Sequence, residues 1–406
     1  MKSTQRYFLL LLASAFILRV LFSFYQVFNE TIDTYEYGAI AQNLVQGKGY
    51  SLFYNDEGQV GFKFKASAHT YQSAWMPPLY VYFLVPFYLV ESDSLRLFLI
   101  FLTQSFLSIL TIFFLYRLTE KTFNQASAII ASCIYAFLPE FIFASAIIGP
   151  TIFYHLLSVL IIYYLLLLKR NEGLLNVATI GLLFGAILLL RSELLLFILI
   201  IISLKVYRKK YKNALIILLL TFLSILPWQI RNYLVFDKVI LSTTSAGLNF
   251  YRGHNQFKIG DWKDPYTENE IKKIIKYDNY ELKANSLYFS EAIKSIKQNP
   301  FQEIKNSVIK ISQLWIFNID NKHLRNPLYI FPWLLILVFA LTGLIKYYDW
   351  NRYEEFYLFL ISTTIVAVLF FVIPRYQTMF KIIILPFAAH SVIYYYNKYK
   401  DAVFKD

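Results

Sequence analysis

The sequence predicts an all-α polytopic membrane protein with about ten transmembrane helices, and three observations support this fold class. Of the 406 residues, 57% are hydrophobic and only 16% are charged, whereas a soluble domain carries about a quarter charged residues. The mean hydropathy is positive, at +0.48. The apolar residues also form runs long enough to cross a hydrocarbon core of about 30 Å. This composition excludes a soluble enzyme, a disordered protein and a small disulfide-bonded secreted domain.

The first apolar run, residues 7–28, follows a short segment that contains Lys2 and Arg6. It is too long for the apolar region of a signal peptide, and no small-residue cleavage site follows it. We therefore expect an uncleaved first span with a cytoplasmic N-terminus. Further spans are predicted at 96–118, 126–148, 151–168, 174–190, 194–207, 212–229, 327–346, 355–372 and 377–397.

The run 79–90 is short for a span and is interpreted as an embedded interfacial helix. With this choice, the basic connections between spans all fall on the cytoplasmic side, as the positive-inside rule favours. Most of the net charge of +13 is then explained by topology and does not require nucleic acid as a partner.

Three regions follow from this topology. Residues 1–230 form a transmembrane module that includes the external loop 29–93. Residues 231–326 form an external, mainly helical loop. Residues 327–406 form the C-terminal transmembrane helices and a short cytoplasmic tail.

The external loop 29–93 begins with an acidic and aromatic segment, Asp33-Thr34-Tyr35-Glu36-Tyr37. Apolar residues then recur at helical spacing, which predicts a short amphipathic helix on the outer membrane surface. Local sequence favours Asp33 as the N-cap, with Glu36 as its capping-box partner. A carboxylate fixed just above the lipid could also deprotonate an acceptor hydroxyl, and the two roles are compatible.

Basic residues on the same face are candidates for binding a phosphate. Lys63, Lys65 and His69 lie in the first loop, although such residues are more often only solvated. Arg231 and Arg375 each lie beside aromatic residues where a span meets the outer surface. They are interpreted either as snorkelling residues in an aromatic belt or as a pair that binds a lipid phosphate through planar guanidinium groups.

Several ionisable residues fall within or next to the apolar runs and are expected to face protein, because a charge at mid-bilayer is costly. These residues are Arg19, Glu140, His155, Lys381 and His390. The sequence Arg191-Ser192-Glu193 is expected to form an external turn between spans five and six. The sequence has no metal-type cluster and no nucleotide-binding motif. No cofactor is therefore firmly predicted, and a divalent cation has no ligand cluster to support it.

At the level of ordered motifs, the chain resembles the GT-C glycosyltransferases, and among them the bacterial protein mannosyltransferase-like family (glycosyltransferase family 39-like) that includes the aminoarabinose transferases. The motifs that carry the resemblance are 33–44, 47–50, 77–80, 227–232, 251–255, and Arg375-Tyr376 with Pro386.

This resemblance implies a transferase that uses a polyprenyl-phosphate sugar on the external face of the bacterial inner membrane, with inversion. It implies that Asp33, the acidic residue at which the first-loop helix begins, is the catalytic residue. Many relatives carry a second acid directly after the first, whereas Thr34 follows here and Glu36 is the next acid. The donor and acceptor pocket is assigned to Tyr37, His69, Trp75, His254, Asn255 and Tyr376.

The expected partners are the lipid bilayer, the polyprenyl-phosphate sugar and an acceptor from the cell envelope, which is a glycan, a glycolipid or a protein. Two other functions stay open on the sequence alone. A lipid or sugar transporter or flippase would place ionisable residues near the bilayer midplane, in two related halves. A non-catalytic membrane scaffold derived from a transferase would leave Asp33 as a helix cap only.

Overall fold

A computed structural model describes residues 2–54, 60–61, 69–255, 265–275, 277, 279–317 and 326–403. In chain order its helices are α1 (Lys2–Asn29), α2 (Tyr35–Val45), α3 (Pro78–Leu84), α4 (Asp93–Thr122), α5 (Gln125–Phe137), α6 (Pro139–Phe143), α7 (Thr151–Arg170), α8 (Leu174–Leu190), α9 (Leu195–Tyr207), α10 (Tyr211–Phe236), α11 (Ala246–His254), α12 (Pro265–Ile274), α13 (Tyr280–Gln298), α14 (Pro300–Trp315), α15 (Pro327–Lys346), α16 (Trp350–Leu369) and α17 (Pro374–Val403). The predicted all-α membrane class is confirmed.

Six of the described helices are long and apolar enough to cross a membrane, namely α1, α4, α7, α10, α15 and α17. Helices α5 and α6, with the short turn after them, are bent by 60° and count as a seventh span if the bent pair is one broken span and not a re-entrant loop. Helices α8, α9 and α16 form where three further spans were predicted. However, α8 and α9 have only 17 and 13 residues, and α16 carries charged residues in its first two turns. Length and composition therefore support six or seven of the ten predicted spans.

The break between α5 and α6 has a local cause and a distant partner. Proline disfavours the helical conformation of the residue before it, and Leu138 is extended, with φ −68° and ψ 125°. The break leaves carbonyl groups at the end of α5 without helical partners. Arg19 of α1 donates hydrogen bonds to the carbonyls of Tyr135 (3.0 Å) and Ala136 (2.9 Å). Arg19 thus faces protein, as expected, and satisfies the end of a broken helix.

The first external loop folds into α2, a small sheet and α3. Strands β1 (Ser51–Tyr54), β2 (Val60–Gly61) and β3 (His69–Gln72) form an antiparallel sheet in the order β2-β1-β3. Helix α2 ends at Val45, and Gly47 and Gly49 adopt φ values of +73° and +72°, which glycine reaches at little cost. The predicted interfacial run 79–90 forms α3 and a 3₁₀ turn, Val85–Leu89, so it is helical and too short to span a bilayer.

Ion pairs join α16 to α7 and to the residue that follows α9. Arg208 after α9 donates to Glu354 of α16 (Nη1 to Oε1, 2.7 Å). Lys169 of α7 pairs with Glu355 (Nζ to Oε2, 2.8 Å). Both carboxylates are buried. Part of the basic charge assigned to the cytoplasmic connections therefore also holds α7, α9 and α16 together.

Candidate active site

A cavity of about 640 Å³ lies where the membrane helices meet the segment between α10 and α15. Its walls come from α7, α9, α11, α13, α14, α16 and α17, and from the turn after α8 and the chain after α10. Most lining side chains are apolar, with a few polar groups among them. Residues that represent the different walls are Tyr154, Glu193, Lys238, Thr244, Phe370 and Tyr376. A largely apolar cavity with some polar groups is the usual form of a small-molecule binding site.

A buried arginine lies behind one wall of the cavity. Arg191 donates a hydrogen bond from Nε to Glu193 (2.9 Å), and its guanidinium carbon lies 4.6 Å from the ring centre of Tyr376. Burial disfavours the charged form, but Glu193, Tyr376 and Tyr37 outweigh burial and raise the pKa of Arg191. The turn predicted for 191–193 is confirmed, since Ser192–Leu194 is a 3₁₀ turn between α8 and α9. Arg191 is therefore a fixed positive charge that borders the cavity through Glu193 and Tyr376.

Asp33 lies directly before α2 and is partly buried. The predicted N-cap is wrong, because α2 begins at Tyr35 and Thr34 occupies the cap position, where its own side chain makes no capping hydrogen bond. Tyr35 has φ +51°, a conformation that costs a residue other than glycine about 1–3 kcal/mol and is concentrated at functional sites. Glu36 lies in the first turn of α2 and is partly buried.

Tyr37 links α2 to the rest of the site. Its side chain is buried and its ring lies edge-on to Tyr80, with 5.1 Å between ring centres. Tyr80 in turn donates to Gln104 of α4 (2.8 Å) and accepts from the backbone of Gly149 (2.9 Å). These contacts fix the helix that follows Asp33 against the membrane helices. Tyr37 is also close enough to Arg191 to raise the pKa of Arg191.

Gly38 provides a test of how closely α2 must pack. A methyl group at this position would overlap the hydroxyl of Tyr88 and the side chain of Thr34, the neighbour of Asp33. We expect Gly38→Ala to cost about 1–3 kcal/mol of stability and to displace the start of α2. The matched control is Gly149→Ala, because a methyl group there meets nothing within 4 Å. Thermal unfolding of both variants in detergent measures the difference, and equal stability would show that α2 adapts without strain.

The geometry of Arg231 does not favour the predicted phosphate site. Its guanidinium donates to the carbonyls of Ser73 (2.7 Å) and Tyr50 (3.0 Å) and to the side chain of Gln72 (3.1 Å). It also lies over the rings of Tyr50 and Trp228, at 5.3 and 5.2 Å. Its donors are committed to the first external loop, so the contacts support a role in fixing that loop to α10.

A buried carboxylate joins the two external segments. Glu281 of α13 accepts hydrogen bonds from Ser73 Oγ (2.6 Å), from the Ala74 amide (2.8 Å) and from the hydroxyl of Thr244. The Thr244 amide also donates to the carbonyl of Ala74 (3.0 Å). Burial raises the pKa of Glu281, although these hydrogen bonds oppose the shift. Thr244 lines the cavity, so Glu281 connects the first loop to the cavity wall.

The raised pKa of Glu281 predicts a pH dependence of stability. The folded protein binds the Glu281 proton more tightly than the unfolded chain, so the contribution of this residue is most favourable below the ordinary glutamate pKa. It declines as the pH rises through the raised value. Glu281→Gln removes this titration while keeping an acceptor oxygen. We expect the variant to show a flatter stability curve than the wild type above about pH 4.5, as measured by chemical denaturation at several pH values. Parallel curves would show that another group titrates.

His254 contacts protein groups on both sides of its ring. Nδ1 lies 2.6 Å from Glu303 Oε2, and Nε2 lies 2.9 Å from the carbonyl of Leu369 at the end of α16. Lys310 donates to the neighbouring carbonyl of Val368 (2.9 Å), and burial lowers the pKa of Lys310 to about 8. The two side chains satisfy the open end of α16. These contacts hold the His254 ring between Glu303 of α14 and the end of α16, and its role in the donor and acceptor pocket stays a prediction.

The other predicted residues are dispersed. Asn255 is buried, and its amide lies 3.5 Å from the carbonyl of Arg252. His69 is exposed at the start of β3, and Trp75 is partly buried between the sheet and α3. Lys63 and Lys65 lie outside the described residues. Arg375 is the second residue of α17, and its side chain also lies outside the description. Within the described residues, Tyr376 is the member of the predicted site that lines the cavity, and no group of three or more metal-type side chains occurs.

Two functional candidates went unrecognised in the sequence. Arg191 was interpreted as part of a turn, although an arginine and a glutamate in a run as apolar as 174–207 are themselves a signal. The segment 238–244, which follows α10 and lines the cavity, contains no motif that would have predicted this role. Lys238 is the cation of that segment on the cavity wall.

The described helices form a polytopic membrane protein, and comparison with solved structures gives it the GT-C glycosyltransferase fold. The resemblance stated from the sequence is confirmed at this level. Residues 76–230 match the family model for dolichyl-phosphate-mannose-protein mannosyltransferase. No curated protein matches the chain significantly.

Solved structures with the same fold extend the match beyond 76–230. The oligosaccharyltransferase of Archaeoglobus fulgidus in its apo form aligns with a TM-score of 0.57 and 15% identity over 97% of this chain and 52% of its own. The same enzyme, AglB, in complex with an inhibitory peptide and a dolichol-phosphate aligns with a TM-score of 0.55 and 15% identity, over 95% and 50%. A weaker likeness, with a TM-score of 0.41 and 11% identity over 96% and 78%, is to ArnT from Cupriavidus metallidurans. The chain thus spans about half the length of the oligosaccharyltransferase.

Proposed function

We propose that this protein transfers a sugar from a polyprenyl-phosphate-linked donor to an acceptor hydroxyl or phosphate on the external face of the membrane, with inversion. The observation that carries the proposal is the cavity between the membrane helices and the second external segment. Its apolar walls suit a lipid chain. Lys238 lies in its wall, and Arg191 lies at its border, against Tyr376. A structure of the same fold was solved with a dolichol-phosphate bound, which agrees with this ligand class.

The proposed chemistry assigns one role to each group. The Asp33 carboxylate accepts the proton of an acceptor hydroxyl while the oxygen of that hydroxyl attacks the anomeric carbon of the sugar. The bond between the anomeric carbon and the phosphate oxygen breaks, and its electron pair goes to that oxygen. Arg191, Lys238 and, by its place next to Tyr376, Arg375 stabilise the charge on the departing lipid phosphate. Arginine is suited to this task because its planar group binds phosphate bidentately.

Reconstitution tests the proposal directly. The purified protein, placed in vesicles with a radiolabelled polyprenyl-phosphate sugar and extracted cell-envelope glycolipids and glycans, is expected to give a labelled acceptor and free polyprenyl phosphate. The configuration at the anomeric carbon of the product measures inversion. Movement of the donor between the two leaflets without any transfer would instead support the transporter hypothesis. A comparison of surface glycans by mass spectrometry, with and without the protein, identifies the acceptor.

A further inference from the structure

Helix α14 buries polar side chains and exposes apolar ones. Asn306, Lys310 and Gln313 are buried, and Lys310 is fully so. On the other side of the helix, exposed apolar residues recur at helical spacing: Phe301 (85% exposed), Ile304 (65%), Val308 (63%) and Ile311 (39%). An amphipathic helix at the surface of a protein in water has the opposite arrangement.

Hydrogen bonds fix this rotation of α14. Lys310 donates to the carbonyl of Val368 at the end of α16 (2.9 Å). Asn306 donates to the Glu303 carboxylate (3.2 Å), and the other oxygen of that carboxylate, Oε2, lies 2.6 Å from His254 Nδ1. Turning the apolar residues inward would break these bonds and leave buried polar groups unsatisfied. The apolar face is thus held outward by the contacts of the polar face.

The end of α14 lies beside membrane helices. Trp315 donates from its ring nitrogen to Thr364 of α16 (3.1 Å), and its ring packs on Phe380 of α17 with 4.5 Å between centres. The carbonyl of Ile316, directly after α14, accepts from the Trp333 ring of α15 (2.7 Å). Helix α15 is a candidate span and also exposes large apolar residues, namely Phe331, Leu335 and Val338. The C-terminal end of α14 therefore lies against a candidate membrane span that itself exposes large apolar side chains.

We propose that α14 lies in the outer lipid interface, with Phe301, Ile304, Val308 and Ile311 buried among the acyl chains. The nearby lysines Lys297 and Lys305 are exposed and suit contact with anionic headgroups, because interfacial helices combine an apolar face with flanking cations. The segment 231–326, which the sequence assigned wholly to the external aqueous side, then contributes one helix to the membrane surface. This proposal stands independently of the catalytic activity.

The test places an environment-sensitive fluorophore at single cysteines in the full-length protein. The native Cys133, the one cysteine of the chain, is first changed to Ser. NBD is then attached at Ile304→Cys or Val308→Cys, with Lys272→Cys on the exposed side of α12 as the control. The protein is reconstituted into vesicles of phosphatidylcholine and phosphatidylglycerol, with or without a lipid that carries a nitroxide on its acyl chain.

We expect the acyl-chain nitroxide to quench the probes at positions 304 and 308 about threefold or more strongly than the probe at 272, and aqueous iodide to show the reverse order. Equal quenching by iodide at all three positions would place α14 in water and overturn the proposal. Protection of 304 and 308 from both quenchers, lost when the protein is diluted in the vesicles, would show that a second copy covers this face. That result would also overturn the proposal.

Discussion

Asp33→Asn is expected to lower the rate of sugar transfer by about 10²- to 10⁴-fold, the usual contribution of a positioned general base. The amide has nearly the shape of the carboxylate but cannot accept the proton of the acceptor hydroxyl. Because asparagine keeps an acceptor oxygen in the place of the carboxylate oxygen, the substitution retains the ability to cap the start of a helix. The stability of the variant should therefore stay within about 0.5 kcal/mol of the wild type.

The matched control for this substitution is Asp93→Asn. Asp93 begins α4, and its side chain is 80% exposed and pairs with Arg96, so the same chemical change is made at an exposed carboxylate to which the proposed chemistry gives no role. Initial rates with the reconstituted donor and thermal unfolding of both variants separate chemistry from folding. Near wild-type transfer by Asp33→Asn would remove Asp33 from the mechanism. Normal cellular function without any transfer by either protein would support the scaffold hypothesis.

Lys381→Met is expected to destabilise the protein by about 3–5 kcal/mol, because it removes one partner of a buried ion pair. Lys381 of α17 lies 2.7 Å from Glu140 of α6, and both side chains are almost fully buried. Lys381 also lies 4.1 Å from the ring centre of Trp333. Without Lys381, the Glu140 carboxylate is left in a low-dielectric interior without its cation.

The double variant Glu140→Gln with Lys381→Met is the control for this prediction. It removes both charges and keeps a hydrogen-bonding group beside Thr378. Replacing both members of a buried pair is often close to neutral, so most of the lost stability should return. Thermal unfolding in detergent compares the two variants. If the double variant is as unstable as Lys381→Met, the pair stabilises α17 through packing and not through charge.

The fold was largely predictable because its signals are local. Apolar runs locate the long helices, Pro139 marks the break after α5, and Gly47 with Gly49 marks the end of α2. The short run 79–90 was interpreted as interfacial from its length and from the charge of the connections between spans. What failed locally was the start of α2. The sequence pattern predicted Asp33 as the N-cap, but the N-cap is Thr34, one residue later. The first residue of the helix, Tyr35, has a left-handed conformation.

The site was less predictable because its contacts join distant parts of the chain. Arg231 bonds to carbonyl groups 158 and 181 residues away, and backbone carbonyls leave no trace in the sequence. An arginine beside aromatic residues therefore has the same local pattern whether it binds a ligand or a loop. Arg191 combines both kinds of contact. Its partner Glu193 is two residues away in the sequence, whereas the ring of Tyr376 and most of the cavity belong to distant parts of the chain. Asp33 was assigned as the catalytic residue through its place in an ordered set of motifs, and this role stays a prediction.

The two groups that satisfy the end of α16 precede that helix in the chain. His254 and Lys310 belong to the segment that is synthesised before α15 and α16, while the carbonyls that they bind belong to residues 368 and 369. The two groups that bind the end of α16 are therefore made before the carbonyls that they bind. The bonds that complete this end of α16 can form only when α16 packs against the earlier segment, and α17, which follows α16, supplies a further wall of the cavity.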